Sequence, residues 1–230
     1  NAAFTLLGTS LRLTASADFE AKPSYSIRVR ASDGIDGTFE KVFTISVTNV
    51  NEAPTDISLS NATVPENAGA NAVVGTVAAV GDPDAGATHT YSLVAGAGDT
   101  DNAAFNLSGA SLRLTASADF ETKASYTVRV RASDGIDGFF EKAFTITVTN
   151  VNEAPTDLTI NDATVDENAG ANAVVGSFTT VGDPDAGAVH TYTLVSGVDD
   201  DDNTAFNING ANLRLTASAN FEVKSSYKVR

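Results

Sequence analysis

The chain of 230 residues contains no Cys, no Met and no Trp. Without Cys, disulfide bridges, thiolate metal sites and a cysteine nucleophile are excluded. Basic residues are scarce, with 14 against 29 acidic ones, and the net charge of −15 argues against nucleic-acid or anionic-membrane binding. No apolar run approaches the roughly 20 residues that a transmembrane helix needs. Because the sequence starts at Asn1 without Met or a signal peptide, we expect an internal fragment of a longer chain.

The sequence repeats itself with a fixed period. The segment Asn49–Pro54 returns unchanged at Asn150–Pro155, and the other matching segments share the same offset of 101 residues. The Pro-containing linkers are natural boundaries, since Pro disfavours helix at the residue before it. We therefore predict three parts: the C-terminal part of a truncated repeat at 1–50, a complete repeat at 51–151, and a truncated repeat lacking its last strand at 152–230.

Within one repeat, polar and apolar residues alternate with a period of two, which is typical of half-buried strands. Thr127–Ala132 alternates apolar with charged residues, and Phe144–Thr149 alternates apolar residues with Thr. Ala72–Val80 is more continuously apolar and predicts a central strand. About seven short strands per repeat, separated by Gly, Asp and Pro, predict an all-β fold of tandem seven-stranded Greek-key immunoglobulin-like sandwiches. The Cys–Trp–Cys core of true immunoglobulin domains is absent.

The acidic residues of the complete repeat fall in turns or at strand ends, namely Glu52, Glu66, Asp82, Asp84, Asp119, Glu121 and Asp134. Alternate turns of an up-and-down strand order lie at opposite ends of a sandwich. We therefore expect two acidic poles per repeat, with neighbouring repeats meeting pole to pole. Clustered carboxylates repel one another, and a hard dication reverses that effect. With two His residues in the chain, this ligand set predicts Ca²⁺ rather than a transition metal.

Five motifs in order resemble the cadherin repeat in its bacterial cadherin-like form, and the resemblance covers the whole chain. Val64–Asn67 resembles the Pro-Glu-Asn motif of that family, and Asp82–Asp84 resembles its Asp-x-Asp motif. Ala118–Glu121 is similar to its Asp-Arg-Glu motif, and Ala132–Gly135 to its later Asp-x-Gly motif. Asn49–Pro54 resembles the family's linker.

The resemblance implies Ca²⁺ between successive repeats, held by the linker and by acids of both neighbours. The first junction would use Asp18, Glu20, Asn49, Asn51, Glu52, Asp82, Asp84 and Asp134. The second junction would use Glu66, Asp119, Glu121, Asn150, Asn152, Glu153, Asp183 and Asp185. The linker is one residue shorter than the family pattern, and Asn replaces its first Asp. The third repeat has Asn220 at the place of Asp119, so we expect weaker binding at the junction that follows it.

The remaining polar features have simpler interpretations. We expect His89 and His190 to be structural residues at the end of a core face, and Asp199–Asp202 to form a solvated loop. Arg129 and Arg131 should lie on a solvated strand face. No nucleophile elbow, phosphate loop or Ser–His–carboxylate grouping can be built, so we predict that the chain is not an enzyme.

The resemblance implies an adhesive and structural module outside the cell, at the surface of a bacterium, in which Ca²⁺ stiffens a tandem array. Its partners would be the neighbouring repeats of the same chain, with other cell-surface proteins or glycans beyond them. Nucleic-acid binding and membrane insertion are not expected. One alternative is a glycan-binding or accessory module of an extracellular polysaccharide-degrading enzyme, for which Tyr126 and Phe139 are the candidate exposed aromatic residues. Another is an immunoglobulin-like spacer that needs no calcium.

Overall fold

A computed structural model describes residues 2–230 and shows an all-β protein. The chain divides into two compact units, the first ending at Asn150 and the second beginning at Val151. Among the described residues, no helix is long and apolar enough to cross a membrane. The division into repeats at 50/51 and 151/152 stays a prediction from the sequence period.

The first unit contains twelve of the strands, and the second contains the remaining four within the described residues. The strands of the first unit are β1 (Phe4–Leu7), β2 (Ser10–Leu13), β3 (Ser24–Ser32), β4 (Thr38–Ser46), β5 (Asp56–Leu59), β6 (Thr63–Pro65), β7 (Val73–Val80), β8 (Thr90–Leu93), β9 (Phe105–Ser108), β10 (Ser111–Leu114), β11 (Ser125–Ser133) and β12 (Phe139–Thr149). Those of the second are β13 (Asp157–Ile160), β14 (Val174–Val181), β15 (Phe206–Asn209) and β16 (Asn212–Leu215). Short 3-10 helices at Asn102–Ala104 and Asn203–Ala205 lead into β9 and β15.

Strands β5 to β12 form a complete sandwich of two sheets, ordered β5-β7-β10-β9 and β6-β12-β11-β8. Pairing is antiparallel except between β6 and β12, which run parallel. This order confirms the predicted Greek-key immunoglobulin-like sandwich. There are eight segments because the first strand is divided between the sheets, with β5 in one and β6 in the other.

Asn61 holds the chain at the point where it passes from one sheet to the other. Its Nδ2 donates to the carbonyl oxygens of Thr63 at 2.7 Å and Val74 at 2.8 Å. Its Oδ1 accepts from the backbone N–H and the hydroxyl of Thr63. The amide side chain therefore satisfies backbone groups that neither sheet can pair at this break.

The core of the sandwich lies between the two sheets and is built by the inward-facing residues of each strand. Leu112 and Leu114 of β10 face Val128 of β11 and Ile146 and Val148 of β12, and all five are buried. Strand β7 lies between β5 and β10, which confirms the central strand predicted for Ala72–Val80. Alternation along each strand is what keeps charged residues on the outer faces.

Residues 2–50 form two separate hairpins rather than a sandwich. Strand β1 pairs with β2, and β3 pairs with β4, with no other strand pairing for these four among the described residues. Their apolar side chains stay largely exposed, including Leu6, Leu7, Phe39 and Phe43. The early strands that cover the corresponding face in β5–β12 have no counterpart here.

The second unit forms one four-stranded sheet, ordered β13-β14-β16-β15. Residues 164–166 and 191–194 form no strand, although they correspond to β6 and β8 of the complete sandwich. The reason is that β6 pairs with β12 and β8 pairs with β11. A counterpart of β12 is not among residues 151–230.

Leu112 and Leu11 occupy the same repeat position in very different surroundings, at 0% and 39% exposure. We predict that Leu112→Ala lowers the free energy of unfolding by about 2–5 kcal/mol, because it leaves a cavity between the sheets. Leu11→Ala removes the same atoms and should cost roughly 1 kcal/mol or less. Urea unfolding followed by tyrosine fluorescence compares the two. Equal losses would show that the complete sandwich is no better packed than the hairpins.

Candidate metal centre

One end of the complete sandwich collects polar residues from two turns, the linker and the preceding repeat. The turn after β7 carries Asp82 and Asp84, and the turn after β11 carries Asp134. We call this set the acidic pole, and it consists of Asp18, Glu20, Asn49, Asn51, Glu52, Asp82, Asp84 and Asp134. These are the eight residues assigned to the first junction from the sequence, and the fold brings them together.

Asp84 is held in place by the linker. Asn49 Nδ2 donates to its Oδ1 at 2.9 Å, and the backbone N–H of Glu52 donates to its Oδ2 at 2.9 Å. The backbone N–H of Asp84 itself donates to Asp82 Oδ1 at 3.0 Å. The hydrogen bonds from Glu52 and Asn49 lower the pKa of Asp84 below its ordinary value of 3.8. Asp84 is therefore kept as a carboxylate with both oxygens directed by neutral donors.

Asp134, in the turn after β11, is likewise held by hydrogen bonds from backbone N–H groups and from an Asn of the linker. Only 9% of its surface is exposed, and its Oδ1 accepts from the backbone N–H groups of Ile136 at 2.9 Å and Gly138 at 3.1 Å. Its Oδ2 accepts from Asn51 Nδ2 at 2.8 Å. The Ile136 and Asn51 bonds lower the pKa of Asp134. A Cβ atom at Gly138 would collide with Asp134 Oδ2, so this position of the turn favours glycine.

Three carboxylates of the acidic pole come together. Glu20, Glu52 and Asp84 each offer an oxygen, and these oxygens lie within 4.8 Å of one another. The pKa of Glu52 is raised above its ordinary value of 4.5, first by desolvation and then by repulsion from Glu20, Asp84, Asp18 and Asp82. Fully ionised, the acidic pole is electrostatically unfavourable.

An open cleft of about 910 Å³ lies beside these carboxylates. Glu20, Asn49, Asn51, Asp84 and Asp134 all line it. The cleft therefore gives solvent and small ions access to the polar oxygens of five of the eight residues.

The acids of the Asp-Arg-Glu-like motif also have a local role that the sequence analysis missed. Asp18 Oδ1 accepts from the backbone N–H of Ala21 at 2.8 Å, and Asp119 Oδ1 accepts from that of Thr122 at 2.8 Å. Asn220 Oδ1 accepts from the backbone N–H of Val223 at 3.2 Å, so Asn serves this turn as well. The sequence could have indicated this role, because Asp and Asn side chains often accept hydrogen bonds from backbone N–H groups a few residues later in short turns.

The opposite end of the sandwich carries the first-unit members of the second set. Glu66 is 2% exposed, and its Oε2 accepts from the backbone N–H of Phe120 at 2.8 Å. Asn150 Nδ2 donates to Glu121 Oε1 at 3.3 Å. Together with Asp119, these residues lie where the strand order predicted them.

The other members of that set, Asn152, Glu153, Asp183 and Asp185, belong to the second unit. Within it, the backbone N–H of Glu153 donates to Asp185 Oδ2 at 2.8 Å, as Glu52 does to Asp84. Asp185 N–H also donates to Asp183 Oδ1 at 3.0 Å. The linker and turn therefore repeat the local geometry of the acidic pole. A metal site built from both units stays a prediction of the sequence.

The two histidines contact the Asp-x-Asp turns, which the sequence analysis did not anticipate. His89 Nε2 lies 2.7 Å from Asp82 Oδ2, and His190 Nε2 lies 2.7 Å from Asp183 Oδ2. The contact with His190 lowers the pKa of Asp183. The spacing of seven residues between Asp and His in both repeats was the available signal. Each ring orients one carboxylate of its turn.

The prediction that Tyr126 is an exposed aromatic residue is wrong. Its ring packs edge to face against Phe105, with centroids 5.5 Å apart, and belongs to the margin of the core. The reason is alternation, because Tyr126 shares the inward face of β11 with Val128 and Val130. Phe139 is exposed, with the Arg131 guanidinium 4.3 Å from its ring centre.

Other polar features are engaged in structural contacts. Glu141 accepts from Arg129 on one oxygen and from Arg131 on the other, on the outer face of β11 and β12. In the loop at 199–202, Asp202 pairs with Lys224 and accepts from the backbone N–H of Lys228 at 2.7 Å. Lysines contact this loop, and its residues Asp199 and Asp201 are exposed.

Comparison with known proteins identifies solved structures that share this architecture. No protein-family model matches the chain. The extracellular cadherin domains 1–4 of protocadherin gamma B7 superpose with a TM-score of 0.64 at 23% identity, over 93% of this chain and 54% of that one. Human CDH23 domains EC21–23 give a TM-score of 0.63 at 20% identity, over 96% of this chain and 73% of that one. The fold is that of the cadherin domain.

Sequence similarity agrees with the cadherin fold. Cadherin-8 of Homo sapiens, and equally that of Rattus norvegicus, is 31% identical over an alignment of 193 residues that covers 73% of this chain. The chain spans about a quarter of the length of these relatives, 23%. The described residues are thus cadherin-like domains, comparable to a small part of a longer cadherin.

The acidic pole yields a prediction for titration. Glu52 should lose its proton above pH 4.5, whereas Asp84 and Asp134 should lose theirs below pH 3.8. Because the folded state favours protonated Glu52, this residue adds to the free energy of unfolding at low pH, and that contribution is lost as pH rises through its raised folded-state pKa. Because the folded state favours ionised Asp84 and Asp134, these residues add to the free energy of unfolding above pH 3.8. That contribution is lost as pH falls through their lowered pKa values. Carboxyl ¹³C NMR in the absence of divalent cations measures these pKa values, and a Glu52 that titrates below Asp84 would contradict the described geometry.

Proposed function

We propose that this chain is a calcium-binding structural and adhesive module of an extracellular repeat protein. The observation that carries the proposal is the meeting of Glu20, Glu52 and Asp84, whose oxygens lie within 4.8 Å of one another. Two oxygens bound to one Ca²⁺ at 2.3–2.6 Å can be separated by no more than about 5 Å, so the spacing fits a shared ion. A cation there converts repulsion between carboxylates into attraction and holds the linker to both neighbours.

The chemistry of the donors favours Ca²⁺ over other metals. The acidic pole offers carboxylate oxygens and the amide oxygens of Asn49 and Asn51, which suit a hard cation of high coordination number. Thiolates are absent from the chain, and its two histidines lie in different repeats. When bound, Ca²⁺ would supply positive charge alone, while the protein residues fix the geometry of the linker.

The second set of residues extends the proposal to the next linker. Glu66, Asp119, Glu121 and Asn150 would contribute from one repeat, and Asn152, Glu153, Asp183 and Asp185 from the next. The identical linker sequences at Asn49–Pro54 and Asn150–Pro155 support equivalent roles. A tandem array with an ion at each linker gains reach and stiffness, which is what an adhesive stalk needs.

The cellular setting is part of the same proposal. Near-identical repeats, the absence of Cys and a net charge of −15 support a large bacterial surface adhesin exposed to a calcium-rich medium. Neighbouring repeats of the chain are its first partners, and surface proteins or glycans are candidates for the distal contact.

We do not propose the glycan-binding alternative or a catalytic role. Glycan sites favour exposed aromatic platforms, and the inward packing of Tyr126 removes one of the two candidates. The acid pairs recur at each linker, whereas a catalytic cleft is rarely repeated once per domain. A spacer that needs no calcium would leave the repulsion at Glu52 uncompensated.

The calcium proposal predicts opposite effects of Glu52→Gln with and without the ion. In chelator, the variant should raise the melting temperature at neutral pH, because it removes the carboxylate whose ionised form is disfavoured. In calcium, it should weaken binding by roughly tenfold or more, because a charged ligand is lost. Calorimetric titration with CaCl₂ and thermal unfolding measure the two effects.

Asp137→Asn is the matched control, since Asp137 is exposed in the turn of Asp134 but is outside the acidic pole. It removes the same unit of charge and should change neither quantity appreciably. Equal effects of the two variants would reduce the proposal to a general effect of net charge. Small-angle scattering that shows the same length and flexibility in calcium and in chelator would reject the stiffening role.

A further inference from the structure

His89 contacts the Asp-x-Asp turn of the acidic pole from the neighbouring sheet. It lies directly before β8, and its Nε2 lies 2.7 Å from Asp82 Oδ2 in the turn after β7. Because a carboxylate can only accept hydrogen bonds, Nε2 carries the proton and donates. The side chains of His89 and Asp82 are 15% and 7% exposed, so water has little access to replace this bond.

The strand register places His89 beside the second acidic turn as well. Strands β8 and β11 pair antiparallel, with Thr90 opposite Ser133. The next position outward is therefore occupied by His89 on one strand and by Asp134 on the other. Strand β7 belongs to one sheet, and β8 and β11 belong to the other. The bond from His89 to Asp82 thus connects the two sheets at the acidic pole.

The same bond closes the loop between β7 and β8 at its base. The loop runs from Gly81 to His89, and within it the Ala87 N–H donates to the Asp84 carbonyl oxygen at 3.1 Å. Asp82 Oδ1 accepts from the Asp84 N–H at 3.0 Å, and its Oδ2 accepts from His89. Each carboxylate oxygen of Asp82 is held by a donor, so the position of the turn depends on His89.

Tyr91 provides a second link between the sheets, away from the acids. Its hydroxyl oxygen accepts from the Ala79 N–H at 3.0 Å, and this bond joins β8 to β7 two residues deeper along β8. The link uses a backbone group of β7 and no carboxylate. In the second unit, the contact between His190 Nε2 and Asp183 Oδ2 at 2.7 Å recurs with the Asp-x-Asp motif. The histidine therefore accompanies the acids of the turn.

We propose, on the basis of the calcium-binding function above, that His89 is the positioning residue of the acidic pole. It fixes the turn of Asp82 and Asp84 against the turn of Asp134, so that the carboxylates keep the spacing that a cation needs. Oxygens that are already in place lose less conformational freedom when an ion binds. His89 does not bind the ion through Nε2 in this arrangement, because that nitrogen carries the donated proton.

Two variants of the full chain test this role. His89→Leu removes the donor and keeps an apolar side chain of moderate bulk, whereas His89→Gln keeps an N–H donor. Residues that orient metal ligands typically change metal affinity by roughly 10- to 100-fold when they are removed. We expect about tenfold weaker calcium binding for His89→Leu, and an affinity within about twofold of the original for His89→Gln.

Titration with CaCl₂, followed by the backbone amide NMR signals of Asp84 and Ile136, measures the affinity of this pole. Equal affinities of the original chain and His89→Leu would overturn the proposal. A failure of His89→Gln to bind better than His89→Leu would overturn it as well, because the donor would then not be the property that counts.

Tyr91→Phe is the matched control, because it removes the deeper link and leaves His89 in place. It leaves the Ala79 N–H without its acceptor and should lower the melting temperature in chelator. His89→Leu should do the same, because Asp82 loses a donor, but it alone should weaken calcium binding. A Tyr91→Phe chain that binds calcium as weakly as His89→Leu would reduce the role of His89 to general stability and overturn the proposal.

A measurement in chelator examines the hydrogen bond without calcium. Long-range ¹H–¹⁵N NMR at mildly alkaline pH should show the ring proton of His89 on Nε2, with the signals assigned by their loss in His89→Gln. A proton on Nδ1 instead would overturn the proposal whether or not calcium binds. An original chain whose amide signals do not move in CaCl₂ overturns both the calcium function and the role of His89. An original chain that binds calcium no better than His89→Leu overturns the role of His89 alone.

Discussion

The closure of each sandwich depends on its last strand. Strand β12 pairs with β11 on one edge and with β6 on the other, and it inserts Ile146 and Val148 between the sheets. It then runs directly into the linker at Asn150. A single strand therefore completes the core and allows β6 to form.

The acidic pole depends on a different balance. Backbone N–H groups and the amides of Asn49 and Asn51 fix Asp84 and Asp134 as carboxylates, and the same fold brings Glu20 and Glu52 beside them. The protein thus directs oxygens towards one region while leaving their mutual repulsion in place. That arrangement costs stability when the carboxylates are ionised, and in the proposed function a bound cation would offset this cost and so couple linker stiffness to calcium.

Much of the fold and of the acidic pole could be predicted from the sequence, because the repeat and the alternation of polar and apolar residues can be recognised without knowing the tertiary structure. The period of 101 residues and the alternating segments predicted the sandwich and its central strand. The same alternation placed Tyr126 inward, and overlooking it led to the wrong expectation of exposure. The turn-capping roles of Asp18 and Asp119, and the contacts of His89 and His190 with their turns, were recognisable from spacing in principle.

The sequence by itself determined which residues are inward, which turns carry acids and which ligand chemistry those acids could serve, since each follows from residue type and short-range spacing. Only the tertiary structure decided that the first strand divides at Asn61 and that three carboxylate oxygens meet within 4.8 Å. These features arise between residues far apart in the chain, where distance depends on how sheets pack and not on local pattern. The charge of −15 is a property of composition, whereas the unfavourable position of Glu52 is a property of the fold.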